Sequence, residues 1–135
     1  MKRCLIVDDS KVIRMVARKI IQEIGLETEE AADGYEALES CDKTMPDAIL
    51  LDWRMPVMSG LDILKALRAR PGGDAPVIIF CTTKDDPDLI NEALAAGASD
   101  FLSKPFDGES IRAKFQQSGL VDQRAKKRAG EPAPS

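Results

Sequence analysis

A chain of 135 residues, 44% hydrophobic and 31% charged, is long enough for one domain with its own core and has a globular composition. Its net charge of −4 argues against general nucleic-acid binding, and the absence of histidine excludes any His-based triad or His metal site. The three cysteines, Cys4, Cys41 and Cys81, are odd in number and widely spaced, and are expected to be reduced core residues of a cytoplasmic protein. Met1-Lys2-Arg3 and the apolar run after it imitate a signal peptide, but Asp8-Asp9 ends that run too early. No segment approaches the ~20 apolar residues that span a membrane.

In chain order, Arg3 to Val7 reads as a strand. Ser10 or Asp9 can cap a helix from Lys11 to about Ile24, with Ile13, Ala17, Ile20 and Ile24 on one face and Gly25 as its stop. Glu27 to Ala31 is a weaker, more exposed strand. Asp33 opens a short helix with Glu36 in the capping-box position and Tyr35, Leu38 and Cys41 as its apolar residues. Ala48-Ile49-Leu50-Leu51 is an unbroken apolar run between turn signals, the pattern of a strand buried on both faces. It runs into Asp52, expected half out of the core at the strand's end. Ser59 can cap a third helix carrying Ile63, Leu64 and Leu67, followed by a surface loop over 70–74. Val77 to Cys81 is another apolar strand. Asp86-Pro87 starts a helix that carries Ile90, Ala93 and Leu94 and stops at Gly97. Asp100 to Ser103 is the last strand, and Asp107 caps a final helix holding Ile111 and Phe115 and ending near Gly119.

Five strands alternating with five helices imply an α/β fold, a doubly wound parallel sheet covered on both faces. Ligand sites in such sheets lie beyond the carboxyl ends of the strands. Asp8, Asp9, Asp52, Thr82 and Lys104 all fall there. Carboxylates ~4 Å apart repel by roughly 4 kcal/mol at an effective dielectric near 20. One lysine offsets part of this, and a divalent cation offsets more. An all-oxygen carboxylate site suits Mg²⁺. A carboxylate nucleophile, a metal and a lysine together suit phosphoryl transfer to an aspartate.

Val7-Asp8-Asp9-Ser10, Leu51-Asp52-Trp53-Arg54-Met55-Pro56 with Ser59-Gly60, Thr82-Thr83, Ala96-Gly97-Ala98 and Lys104-Pro105-Phe106 are specific as an ordered set. In these motifs the chain resembles the receiver domain of bacterial response regulators, especially single-domain, chemotaxis-type (CheY-like) regulators, over residues 1–119. The resemblance implies a flavodoxin-like sheet of order 2-1-3-4-5. It implies Asp52 as phosphoacceptor and Asp8 and Asp9 as the acidic pair for Mg²⁺, with the Arg54 backbone carbonyl completing the protein ligands. Lys104 would contact phosphate, and Lys104-Pro105 would be a cis peptide. Thr82 would be the switch hydroxyl, with adjacent Thr83 an open alternative, and Phe101 the switch aromatic. Arg54 and Lys84 would flank the path of hydrolytic water and lengthen the life of the phosphate.

Structural readings stand beside these. Asp9 can be a helix cap, Lys104 a solvated lysine, Thr82 or Thr83 a turn cap, and Phe101 plain edge packing. Trp53 and Met55 are exposed loop residues or apolar contacts near the site entrance. The expected function is a stand-alone phosphorylation switch rather than an enzyme. It takes phosphate from a histidine kinase or histidine phosphotransfer protein and signals through the face of the fourth helix, fifth strand and fifth helix. No DNA-binding domain and no membrane are expected. The alternatives are a phosphate sink or phosphorelay intermediate, an unphosphorylated interaction module, or a Mg²⁺-dependent phosphohydrolase. Phosphohydrolases of the Asp-x-Asp type need an acid where Arg54 stands. Residues 120–135 form a basic, then Pro/Ala-rich tail, expected to be disordered. Its cluster of Arg124, Lys126, Lys127 and Arg128 is a solvated extension or an anion or partner contact; some relatives of chemotaxis regulators bind a cyclic dinucleotide with an arginine-rich tail, but this one is shorter and richer in lysine.

Overall fold

The computed structural model describes residues 2–55, 57–82, 86–104 and 107–119. Strands and helices alternate as β1 (Arg3–Val7), α1 (Lys11–Ile24), β2 (Glu27–Ala31), α2 (Gly34–Lys43), β3 (Ala48–Asp52), α3 (Gly60–Arg68), β4 (Val77–Thr82), α4 (Pro87–Ala95), β5 (Asp100–Ser103) and α5 (Gly108–Gln117). All strand pairs are parallel, in the order β2-β1-β3-β4-β5. Among the described residues no helix is long and apolar enough to cross a membrane. The motif positions Thr83, Lys84 and Pro105, and the tail from Leu120, lie outside the described residues.

Strand alternation splits the core into two layers. Leu5, Val7, Ile49, Leu51, Ile78 and Phe80 pack with Ala37, Leu38, Ile63, Leu64, Leu67 and Ala93 on the α2–α3–α4 side. Cys4, Ile6, Leu50, Ile79, Cys81 and Leu102 pack with Ala17, Ile21, Ile111 and Phe115 on the α1–α5 side. The edge strand β2, sequence ETEEA, buries only Ala31 fully, and its acids find cations instead, Arg3 with Glu29 and Arg14 with Glu30.

Side-chain caps start every helix. Ser10, not Asp9, caps α1 by accepting from the Ile13 N–H, which leaves the Asp9 carboxylate for the pocket. Asp33, Ser59, Asp86 and Asp107 cap the other four. Glu36 closes the start of α2 on the Ala32 N–H, one residue before the capping position. Three helix faces differ from the sequence reading. The buried strip of α1 centres on Ala17 and Ile21, with Ile13, Ile20 and Ile24 at its margins. Tyr35 is 62% exposed, well round the helix from the strip of Gly34, Ala37, Leu38 and Cys41. Leu94 is 41% exposed, because Ile90 and Ala93 set the face of α4 that meets the core. The central strands also run one residue further than their apolar runs, to Asp52 and Thr82.

Candidate functional site

The register aligns the carboxyl ends of the inner strands. Val7 stands beside Ala31 and Leu51, Asp52 beside Cys81, and Thr82 beside Ser103. Asp8 and Asp9 leave β1, Asp52 ends β3, and Lys104 follows β5, so the four converge on one cavity of about 480 Å³ that Arg54 and Met55 also line. One carboxylate oxygen from each of Asp8, Asp9 and Asp52 lies within 4.8 Å of the others. Asp8 and Asp52 are each 4% exposed, whereas Asp9 faces solvent. Asp52 is therefore buried rather than half out of the core, since its backbone still pairs with β4 and the loop behind it folds back over the strand end.

Lys104 compensates this charge. Its Nζ donates to Asp8 Oδ2 at 2.7 Å and to Asp52 Oδ1 at 2.9 Å. Burial pushes the Asp52 carboxyl above the ordinary carboxylate value, against the opposing pull of Lys104 and a backbone hydrogen bond from Arg54. For Lys104 burial works to lower the pKa, but the hydrogen bonds and charges of Asp8 and Asp52 prevail and hold it above the ordinary lysine value. The backbone N–H of Ser10 donates to Asp8 Oδ1 at 2.9 Å, so both oxygens of Asp8 are engaged.

The surrounding backbone is held closely. The Trp53 N–H donates to the Cys81 carbonyl at 2.8 Å, and the Gly60 N–H to the Trp53 carbonyl at 3.1 Å, which closes the β3–α3 loop. A Cβ at Gly60 would collide with the Asp52 carbonyl oxygen and Trp53 Cα, so only glycine fits this approach. The Lys104 N–H donates to the Thr82 carbonyl at 2.6 Å, which ties the lysine to the end of β4. Thr82 itself is fully buried. Phe101 is half-buried on β5, away from the acids, with the Lys114 Nζ 5.2 Å from its ring centre. Arg54 is exposed at the cavity wall.

One contact has no counterpart in the motif reading. Arg14, in the first half of α1, donates from Nη1 to the Asp8 carbonyl at 2.7 Å. Its signal in the sequence is slight: a long cation one turn into a helix leans back toward the helix N-terminus.

The donor set is made of hard oxygens, is clustered, and has its most open member, Asp9, toward solvent. It fits Mg²⁺, which binds through a few carboxylates and retains water. A parallel sheet wound 2-1-3-4-5, with five helices and an acidic pocket at its carboxyl edge, defines the flavodoxin-like, CheY-like class. Residues 4–116 match the response regulator receiver domain model, and the chain belongs to that family. Receiver domains of this family are signalling phosphoacceptors that interact with histidine kinases and generally bind Mg²⁺ at an acidic pocket.

Among relatives, response regulator MprA of Mycobacterium leprae is 38% identical over 114 residues, covering 84% of this chain and 49% of that protein. The chain thus spans about half the length of the curated relatives it matches. Among solved structures, the chemotaxis protein CheY4 of Vibrio cholerae is 38% identical with a TM-score of 0.83, covering 87% of this chain and 98% of that one. The signal receiver domain of a signal transduction histidine kinase from Syntrophus aciditrophicus is 30% identical with a TM-score of 0.79, covering 91% and 95%.

Proposed function

We propose that Asp52 is the phosphoacceptor of a signalling switch. The observation that carries this reading is a buried carboxylate at the base of an open cavity, with an ammonium at 2.9 Å and two further carboxylates beside it. A histidine kinase or histidine phosphotransfer protein would present a phosphohistidine. An Asp52 oxygen attacks phosphorus, the P–N bond breaks with its electron pair returning to the imidazole, and an acyl phosphate forms on Asp52. Asp8, Asp9 and Asp52, with the Arg54 carbonyl, would hold Mg²⁺, which when bound neutralises charge on the phosphoryl oxygens. Lys104 lies close enough to Asp52 to move its contact from carboxylate to phosphoryl oxygen without leaving Asp8.

Thr82 is the switch hydroxyl in this reading, because it ends β4 and its carbonyl is tied to Lys104. Phe101 follows as the switch aromatic, and the face of α4, β5 and α5 changes its affinity for a downstream protein. Arg54, at the cavity wall, slows hydrolysis by covering the phosphoryl group, and the sequence motif alone assigns Lys84 a share in that role. Chemotaxis is one setting for this chemistry, and the cytoplasm is its place. The test is phosphorylation by a small-molecule phosphodonor with Mg²⁺, read by intact mass. The wild type gains a phosphate adduct and Asp52→Asn gains none, because an amide cannot form the acyl phosphate. An undiminished adduct on Asp52→Asn places the acceptor elsewhere.

A further inference from the structure

The backbone of Asp8 is gripped from both sides, by Ala31 of β2 and by Arg14 of α1. The Ala31 carbonyl accepts from the Asp8 N–H at 3.1 Å, the last rung of that strand pair. Beyond it, the Asp8 carbonyl belongs to the peptide that leads into Asp9, where the chain leaves the sheet. That carbonyl accepts from Arg14 Nη1 at 2.7 Å. The other edge of the same guanidinium, Nε, donates to Glu30 Oε1 at 3.0 Å, and Arg18, one turn further along α1, donates to Glu30 Oε2 at 3.0 Å. Arg14 is thus braced by a carboxylate that is itself braced, and its side chain is only 14% exposed. A planar fork held at two edges has little freedom to swing.

The grip bears on one residue in particular. Asp8 has both carboxylate oxygens fixed, by Ser10 and Lys104. Among the described residues no side chain donates to the Asp9 carboxylate. Its direction into the cavity therefore depends on the plane of the peptide before it, which is the peptide Arg14 holds.

We propose that Arg14, braced by Glu30, is a positioning residue for the divalent-cation site, setting the direction of Asp9 through the Asp8–Asp9 peptide. This rests on the reading of Asp8, Asp9 and Asp52 as that site. Groups that orient metal ligands typically change affinity 10–100-fold when removed, and an indirect hold through one peptide belongs at the low end, about tenfold. The sign separates this role from simple charge. Losing a nearby positive charge would tighten cation binding, whereas losing the positioning weakens it.

The experiment is a MgCl₂ titration followed by Trp53 fluorescence in wild type, Arg14→Met, Arg14→Lys and Asp9→Ala, with thermal melts to check folding. Arg14→Met is expected to raise the Mg²⁺ midpoint about tenfold. Arg14→Lys keeps the charge and can still donate to the Asp8 carbonyl but lacks the planar fork that bridges to Glu30, so its midpoint falls between the two. A midpoint for Arg14→Met at or below wild type, with binding lost in Asp9→Ala, overturns the positioning role and leaves the cation site standing. A wild-type curve from Asp9→Ala overturns both. If Arg14→Met does not melt cooperatively, Arg14→Lys decides: a raised midpoint at unchanged charge supports the role, and an unchanged midpoint overturns it.

Discussion

Replacing Asp52 with asparagine is expected to abolish phosphorylation and also to stabilise the fold. The ionised carboxylate lies within 4.8 Å of oxygens on Asp8 and Asp9, and 2.9 Å from the Lys104 Nζ. At an effective dielectric of 20, each repulsion is about 3.5 kcal/mol and the attraction about 6 kcal/mol. The two repulsions outweigh the attraction by about 1 kcal/mol, and a side chain only 5% exposed adds a desolvation penalty. Asparagine has the same shape and keeps an oxygen for Lys104 to donate to. The expected gain without divalent cations is about 1–2 kcal/mol, or about 4 °C in Tm per kcal/mol for a chain of this size.

The pH dependence has a definite sign. Asp52 has a folded pKa raised above its unfolded value of about 3.9. The wild type therefore carries the full penalty above the folded pKa and loses it as pH falls toward the unfolded pKa, where both states are protonated. Thermal melts of both proteins in chelator, from about pH 7 to about pH 4, should show a gap that closes on acidification. An asparagine variant no more stable than wild type near neutrality, or a gap independent of pH, refutes the account of Asp52 as a carboxylate held at a cost.

Three further outcomes are expected. Trp53 follows Asp52 directly, so its fluorescence should change on Mg²⁺ binding in wild type, and Asp9→Ala should need more Mg²⁺ or give no change; coincident curves remove Asp9 from the ligand set. Gly60→Ala forces a Cβ against the Asp52 carbonyl and Trp53 Cα, so urea unfolding should show a loss of about 2–3 kcal/mol; a loss below about 0.5 kcal/mol contradicts that close approach. All three cysteines are buried, and burial pushes the thiols up, Cys4 to about 12, Cys41 to about 11 and Cys81 likewise upward. A thiol-reactive dye at mildly alkaline pH should therefore label the protein only after denaturation, and prompt labelling of the native protein counters that burial.

The order and type of the elements were legible in the sequence because local physics sets them. The apolar runs ending at Val7, Leu51 and Cys81 mark strands buried on both faces, and Ser59, Asp86-Pro87 and Asp107 satisfy helix starts within a few residues. The acids and the lysine were legible as a group, since a parallel sheet collects every strand's carboxyl end on one edge. The depth of Asp52 was not legible. An apolar run records where the core requires hydrophobic side chains, not whether the strand continues, and here β3 carries its carboxylate one residue further beside Cys81. The orientation of α1 followed the same logic: several isoleucines compete for the core, and packing over the sheet chose Ala17 and Ile21 as the centre. Only the tertiary structure could decide the compensation at the site. Lys104 meets Asp8 across 96 residues of sequence and Asp52 across 52, and Arg14 reaches the Asp8 carbonyl because β2 supplies Glu30 beside it. Such contacts depend on strand order and side-chain reach, whereas caps and apolar periodicity depend on neighbours a turn or less away.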